Sequence, residues 1–353
     1  MKIILATPIY PPDIGGPAIY SQRLKEGLER LGYEITVISY QGLKIYPQPL
    51  RLFIYFLKLF SHALRGDIIY SLNLISCGVP SCFTAKILRK KIFIRIGGDF
   101  LWERAVESGK TKKPLREYYL DQRSLKEKSW VFLMKAVFNC ADKIIFTSKF
   151  QRDIYLKTFN IKEEKMDIVQ NPFPDVKGGD QLMSGRPQLL FAGRLIKLKN
   201  IDFLIRVFHN VLKRTGRDLT LKIIGDGPEK DNLKVGNKVI ISQTLSHEEL
   251  LQEIQRCYLC ILPSLTEITP NFALECIKLK KPILLTQETG LYEIFKDDLI
   301  FLDPKDEEDT EKKITRLLDI KNYQDYVEKI NNIPTSYSWE DVIEKHISLF
   351  KKS

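Results

Sequence analysis

The chain has 353 residues, 44% hydrophobic and 28% charged, with a formal net charge of +11. This composition suits a globular protein of about two domains and excludes a disordered tail, a fibrous repeat and a disulfide-stapled miniprotein. The positive excess sits in one half: residues 1–178 carry 29 Lys and Arg against 17 Asp and Glu (+12), residues 179–353 carry 26 against 27 (−1). Such asymmetry leaves nucleic acid, an anionic membrane surface and phosphorylated ligands as candidate partners. Of the six cysteines, Cys257 and Cys260 form a CxxC inside the apolar run CYLCILP. With no second CxxC and no histidine nearby, they read as reduced thiols in a buried strand rather than as zinc ligands. The first apolar run is too short for a signal core and no 18-residue apolar stretch exists, so the expectation is a cytoplasmic protein.

In chain order, short β-rich runs alternate with amphipathic helical patterns. Strand candidates are 2–6, 34–39, 67–72, 91–96 and 143–147, then 188–192, 219–224, 238–242, 258–262, 282–286 and 299–302. The clearest helix places Ile201, Leu204, Ile205, Phe208, Val211 and Leu212 on one face. Two such alternating series imply an α/β architecture of two doubly wound parallel-sheet domains. The stretch QNPFPDVKGG marks the join. This gives domains at 1–170 and 180–337, a hinge at 171–179 and a last amphipathic helix in 338–353, expected to pack back on the first domain.

Four segments can carry chemistry. After the first strand, Gly15-Gly16 precedes a helix opened by Pro17. The pair lets backbone N–H groups approach an anion at a helix N-terminus, or simply makes a tight turn; it is neither a GxGxxG fingerprint nor a Walker loop. In FAGRLIKLKN, Gly193 ends a strand and Arg194, Lys197 and Lys199 follow. Arg194 offers a bidentate fork and Lys199 a point charge for phosphate oxygens, against the plainer reading of a solvated basic loop. In PSLTEITPNFALE, Glu267 lies in a post-strand loop and Glu275 about one turn into the helix opened by Pro270-Asn271. The N–H groups around Thr269, Pro270, Asn271 and Phe272 can face an anion, and the two carboxylates can accept hydrogen bonds from sugar hydroxyls. Alternatively Glu275 is a favourable charge in a first helical turn. In IIGDGPE, Gly225, Asp226 and Gly227 end another strand, where glycines open space for a ligand ring or form a turn.

Together these residues resemble the family 4 glycosyltransferases of the GT-B fold, two Rossmann-like domains facing each other across a cleft. The resemblance covers nearly the whole chain. It rests on Gly15-Gly16, ADKIIFTS (141–148), VQNPFP (169–174), GRLIKLKN (193–200), IIGDGPE (223–229), PSLTEITPNFALEC (263–276) with its two glutamates, and the final SW helix. It implies a hexosyltransferase that retains anomeric configuration and takes a nucleotide-sugar donor, UDP- or GDP-linked, in the second domain. Arg194 and Lys199 would hold the diphosphate, Glu267 the donor sugar and Glu275 the ribose, with Gly16 approaching from the first domain. Members generally need no metal or other cofactor in the site, and the chain has no DxD triplet. Two departures stand out. Where many members place a histidine after the fourth strand, this chain reads IRIGGDFLWE, so Asp99 takes that role or caps a helix; and Gln243 stands where the family usually has glycine, near the nucleotide base.

On this reading the acceptor, a saccharide or a lipid-linked sugar of cell-surface polysaccharide or glycolipid synthesis, binds the basic first domain. The segment LRLFIYFLKLFSHAL (50–64), with Arg89, Lys90, Lys91, Lys110, Lys112 and Lys113, would rest on the anionic inner face of the cytoplasmic membrane, unless 50–64 is a buried sheet-packing helix. Nucleic acid falls away, since the basic residues lack interleaved aromatic platforms. Two other readings stay open: a GT-B sugar-nucleotide epimerase, and a non-catalytic sugar-nucleotide-binding protein.

Overall fold

The computed structural model describes residues 1–13, 15–176 and 187–351. Ile14, the end of the join at 177–179, the start of the second stretch at 180–186, and 352–353 lie outside the described residues. The chain begins β1 (Lys2–Thr7), α1 (Gly16–Arg30), β2 (Glu34–Ser39), α2 (Gln48–Ala63), β3 (Ile68–Ser71), α3 (Gly78–Leu88), β4 (Lys91–Ile96) and α4 (Phe100–Glu107). It continues through α5 (Leu115–Tyr118), α6 (Leu125–Cys140), β5 (Lys143–Phe146), α7 (Lys149–Phe159) and β6 (Met166–Ile168). Then come β7 (Gln188–Ala192), α8 (Ile201–Thr215), β8 (Thr220–Ile224), β9 (Val239–Ser242), α9 (His247–Arg256), β10 (Leu259–Leu262) and α10 (Asn271–Lys278). The last elements are β11 (Ile283–Thr286), α11 (Tyr292–Phe295), β12 (Ile300–Leu302), α12 (Glu307–Leu317), α13 (Ile320–Asn331) and α14 (Trp339–Lys351).

Two parallel six-stranded sheets result, ordered β2-β1-β3-β4-β5-β6 and β12-β11-β10-β7-β8-β9. Eleven of the twelve described strands fall on the apolar runs of the sequence; the twelfth, β6, is three half-buried residues at a sheet edge. Central strands such as IIYS, LCIL and ILLT are buried at every position, as parallel strands covered by helices on both faces must be. Cys257 and Cys260 are free thiols with their sulfurs 3.5 Å apart in that interior.

The chain forms two compact units. The first comprises Met1–Leu101, Asp121–Pro172 and Ser338–Ser353; the second comprises Trp102–Leu120 and Phe173–Tyr337. The segment Trp102–Leu120 therefore leaves the continuous 1–170 stretch read from the sequence and joins the second unit. The reason is polar: its backbone and carboxylates bond to loops of the second sheet, as described below. In the first unit, right-handed crossovers put α2, α3, α6 and α7 on one sheet face and α1 with α14 on the other.

Helix α14 is held there by His346, which is fully buried. Its Nδ1 donates to the Val342 carbonyl at 2.7 Å, which leaves Nε2 to accept from Tyr70 Oη at 2.8 Å; the tautomer follows from these partners. Burial, with Arg95 close by, lowers its pKa to about 4. A folded pKa below the unfolded value near 6.5 means stability that is complete above pH 6.5 and lost as pH falls toward 4. The full shift is worth about 3 kcal/mol. In urea titrations, a His346→Gln variant should be less stable than wild type at pH 7.5, and the gap should close as pH drops from 6.5 to 4. A gap constant across that window would refute this assignment.

Candidate active site

In the second sheet the chain moves outward from β7 to β8 and β9, then returns to place β10 on the other side of β7. The strand order reverses between β7 and β10, and ligands of open α/β sheets bind outside the carboxyl ends of strands at such a switch point. The loops leaving these two strands are GRLIKLKN and PSLTEITP, two of the segments singled out in the sequence.

The β7 loop is fixed first by the loop after β8. Gly193 N donates to the Ile224 carbonyl at 3.0 Å, Leu195 N to Asp226 at 2.9 Å, and Glu229 N to Leu195 at 3.0 Å. This contact needs glycine: a Cβ on Gly225 would lie 1.9 Å from the Gly193 oxygen, and one on Gly227 2.4 Å from the Leu195 oxygen. Both also have φ in the left-handed range, 150° and 157°. On the Cβ side, the space these glycines open is filled by the neighbouring loop. Asp226 is exposed, accepts from Gly227 N at 3.0 Å and lies 3.6 Å from Lys230.

The β7 loop then meets the β10 loop. Leu265 N donates to the Leu198 carbonyl at 2.9 Å, and Lys199 Nζ forms an ion pair with Glu267 Oε1, which also accepts from Ser264 Oγ at 2.5 Å. Glu267 is buried and Lys199 half-buried, so neither charge is fully solvated and each restricts the other. Arg194 is exposed and makes no ion pair among the described residues. Beyond the loop, α10 begins after Pro270 with no side-chain cap, leaving its first-turn N–H groups, those of Asn271 and Phe272 among them, at the positive end of the helix. Thr269 Oγ1 is buried with no hydrogen-bond partner among the described residues. Glu275 is buried on α10, its pKa raised to about 7 by desolvation, with His247 Nδ1 of α9 3.7 Å away.

A third segment completes this arrangement and was not legible as part of it. The Glu107 carboxylate accepts from Lys197 N at 3.3 Å and Leu198 N at 3.1 Å, and Lys197 Nζ donates to the Glu107 carbonyl at 3.1 Å. Leu115 N donates to Thr266 Oγ1 at 2.9 Å; Glu117 pairs with Lys305 at 2.5 Å, and Arg116 lies 3.7 Å from Glu288. Residues 102–120 thus strap both loops of the switch point. The available signal was length: more than 40 residues separate β4 from β5, far more than one crossover helix needs.

The remaining candidates lie in the first unit. Gly15 precedes α1 with φ 151°, its carbonyl accepting from Ala18 N at 3.0 Å, and Gly16 opens the helix at the carboxyl end of β1. That is again a switch point, since β1 lies between β2 and β3. Asp99 is fully buried and accepts from Tyr155 Oη at 2.7 Å. It is therefore withdrawn from solvent and anchors the turn after β4 to α7.

Comparison with known proteins bears on the fold and the class of activity. Residues 177–332 match the family model described as glycosyl transferases group 1. An uncharacterized glycosyltransferase of Methanocaldococcus jannaschii is 23% identical over 99% of this chain and 98% of its own length. The alpha-monoglucosyldiacylglycerol synthase of Streptococcus pneumoniae is 22% identical over 85% of this chain and 74% of its own. Among solved structures, HepE of Anabaena, in complex with UDP and glucose, superposes with a TM-score of 0.71 at 14% identity, covering 100% of both chains. The fold is that of the GT-B glycosyltransferases. The chain is a glycosyltransferase.

Two outcomes test the site's scaffolding. Gly225→Ala should destabilise the second unit by more than about 2 kcal/mol, read as a lower unfolding midpoint, because a methyl cannot share space with the Gly193 carbonyl. Glu107→Ala leaves two N–H groups without their acceptor, so hydrogen exchange at Leu198 should speed up at least tenfold. Unchanged exchange would remove the strap from the account.

Proposed function

We propose that the chain is a retaining, family 4-type hexosyltransferase. It moves a sugar from a UDP- or GDP-sugar to a hydroxyl of a saccharide or lipid-linked acceptor, in cell-surface polysaccharide or glycolipid synthesis. It works without a resident metal ion, in the cytoplasm and peripherally on the inner face of the cytoplasmic membrane. The observation that carries the reading is the Lys199–Glu267 pair beside the uncapped start of α10 at the β7–β10 switch point.

Sugar transfer needs a place for charge growing on the departing nucleoside diphosphate. Lys199, the exposed Arg194 and the α10 N–H groups supply it, already oriented and partly desolvated. Glu267, held by Lys199 and Ser264, is an acceptor for donor-sugar hydroxyls. Glu275, with a pKa near neutrality, is an acceptor for ribose hydroxyls and sits beside His247. With leaving-group departure advanced, the acceptor hydroxyl attacks from the same face and a phosphate oxygen takes its proton, so no protein nucleophile is required. HepE's UDP and glucose support the donor class, and the diacylglycerol glucosylation in the name of the Streptococcus relative supports a lipid acceptor. No comparison favours an epimerase or a non-catalytic binder.

Glu267→Ala and Lys199→Ala should each lower turnover by about 10²–10³-fold with the circular dichroism spectrum preserved. Wild-type turnover in both variants would sink the assignment. In a thermal-shift screen a donor nucleotide sugar should raise the melting temperature, and UDP- and GDP-sugars should separate.

A further inference from the structure

Helix α2 is apolar on two opposite faces. Tyr55, Leu59 and Ala63 are buried against the sheet. On the opposite side, Phe53 (57% exposed), Leu57 (48%) and Leu64 (58%) point outward, with Leu50 beside them. A surface helix of a globular protein carries polar residues there. The neighbouring α3 repeats the pattern: Ser81, Cys82 and Ala85 are buried, while Phe83 (61%) and Ile87 (59%) face out with Lys86. The two helices pack side by side in one layer, so their outward stripes form one surface.

Its charge is one-sided. Residues 35–98 contain nine Lys and Arg and a single acidic residue, Asp67. Lys58, Arg65, Lys86 and Arg89 are exposed on or beside the apolar stripes. A second copy of this face would bring basic against basic, and a nucleic-acid backbone would leave the phenylalanines unused. An anionic bilayer satisfies both features, taking the apolar side chains into the acyl boundary and the cations at the headgroups. No described helix is long and apolar enough to cross a membrane, so the contact is a face laid on the surface.

We propose that the outer face of α2 and α3 is an anionic-lipid docking surface, with Phe53, Leu57, Phe83 and Ile87 as the inserted side chains. This deepens the peripheral-membrane reading by naming the face, which is built from α2 and α3 of the first unit; Lys110, Lys112 and Lys113 belong to the second unit. It uses no sugar chemistry, so its failure leaves the donor site untouched and the reverse also holds.

The test is vesicle flotation without any sugar substrate, using phosphatidylcholine alone or mixed with phosphatidylglycerol. Wild type should float with the mixed vesicles at least tenfold more than with phosphatidylcholine. Phe53→Asp combined with Phe83→Asp should cut that partition at least tenfold, with the melting temperature unchanged because both side chains are exposed. Phe132→Asp, on the exposed side of α6, should float like wild type. Lys58→Glu with Lys86→Glu, which keeps every apolar side chain, should abolish the preference for anionic vesicles. Wild type remaining in the soluble fraction with both vesicle types would overturn the proposal, as would flotation of the double Asp variant at the wild-type level. A dimer broken by the Asp variant in the absence of flotation would also overturn it, assigning the face to a second copy.

Discussion

The Gly193 carbonyl occupies the place where any residue but glycine at 225 would put its Cβ, and the second unit's site is built outward from that contact. It presses the loop after β7 against the loop after β8, which fixes where the backbone turns at Arg194 and Leu195. From there the chain reaches the short turn at Lys197–Lys199, whose N–H groups are held by Glu107 and whose last lysine meets Glu267. Each step is a short-range polar or steric constraint. The chain order matters: the switch point brings β7 beside β10, and only then can a lysine and a glutamate 68 residues apart share one ion pair.

The strands were legible because parallel sheets covered on both faces demand continuous apolar runs, and IILA, IIYS, LCIL and ILLT are such runs. The β6 strand was not: three residues, all half-buried, carry neither a run nor an alternation. The loop residues were legible as chemistry, since Arg194, Lys199, Glu267 and Glu275 follow strand ends. Their mutual contacts were not, because periodicity says nothing of which loop touches which. The glycines of IIGDGPE illustrate this. Their presence marked a close approach correctly, but the approaching group is backbone, and nothing in the local sequence distinguishes a carbonyl from a ligand.

Asp99 and His346 carry a related lesson about ionisable residues. Asp99 was singled out in the sequence and His346 was not, and both are fully buried in the first unit. There, Asp99 joins the β4 turn to Tyr155, and His346 joins α14 to Tyr70. Burial favours such use, because a hydrogen-bonded neutral imidazole or a carboxylate with a tyrosine donor ties elements together.

The charge asymmetry survives the change in boundaries. With Trp102–Leu120 counted in the second unit, the first has 26 basic and 16 acidic residues and the second 29 and 28, so +10 against +1. In the near-neutral unit several cations are offset, Lys199 by Glu267, Lys305 by Glu117 and Lys222 by Glu253, while Arg194 stays exposed with no ion pair among the described residues. An ion pair already formed lowers the cost of leaving such a cation without a ligand. Between β2 and the end of β4, the first unit's excess has no such ion pairs among the described residues, and one aspartate stands against nine basic residues there. Charge left uncompensated beside an apolar helix face has a different physical use from charge placed at a strand end, and the two units divide along that line.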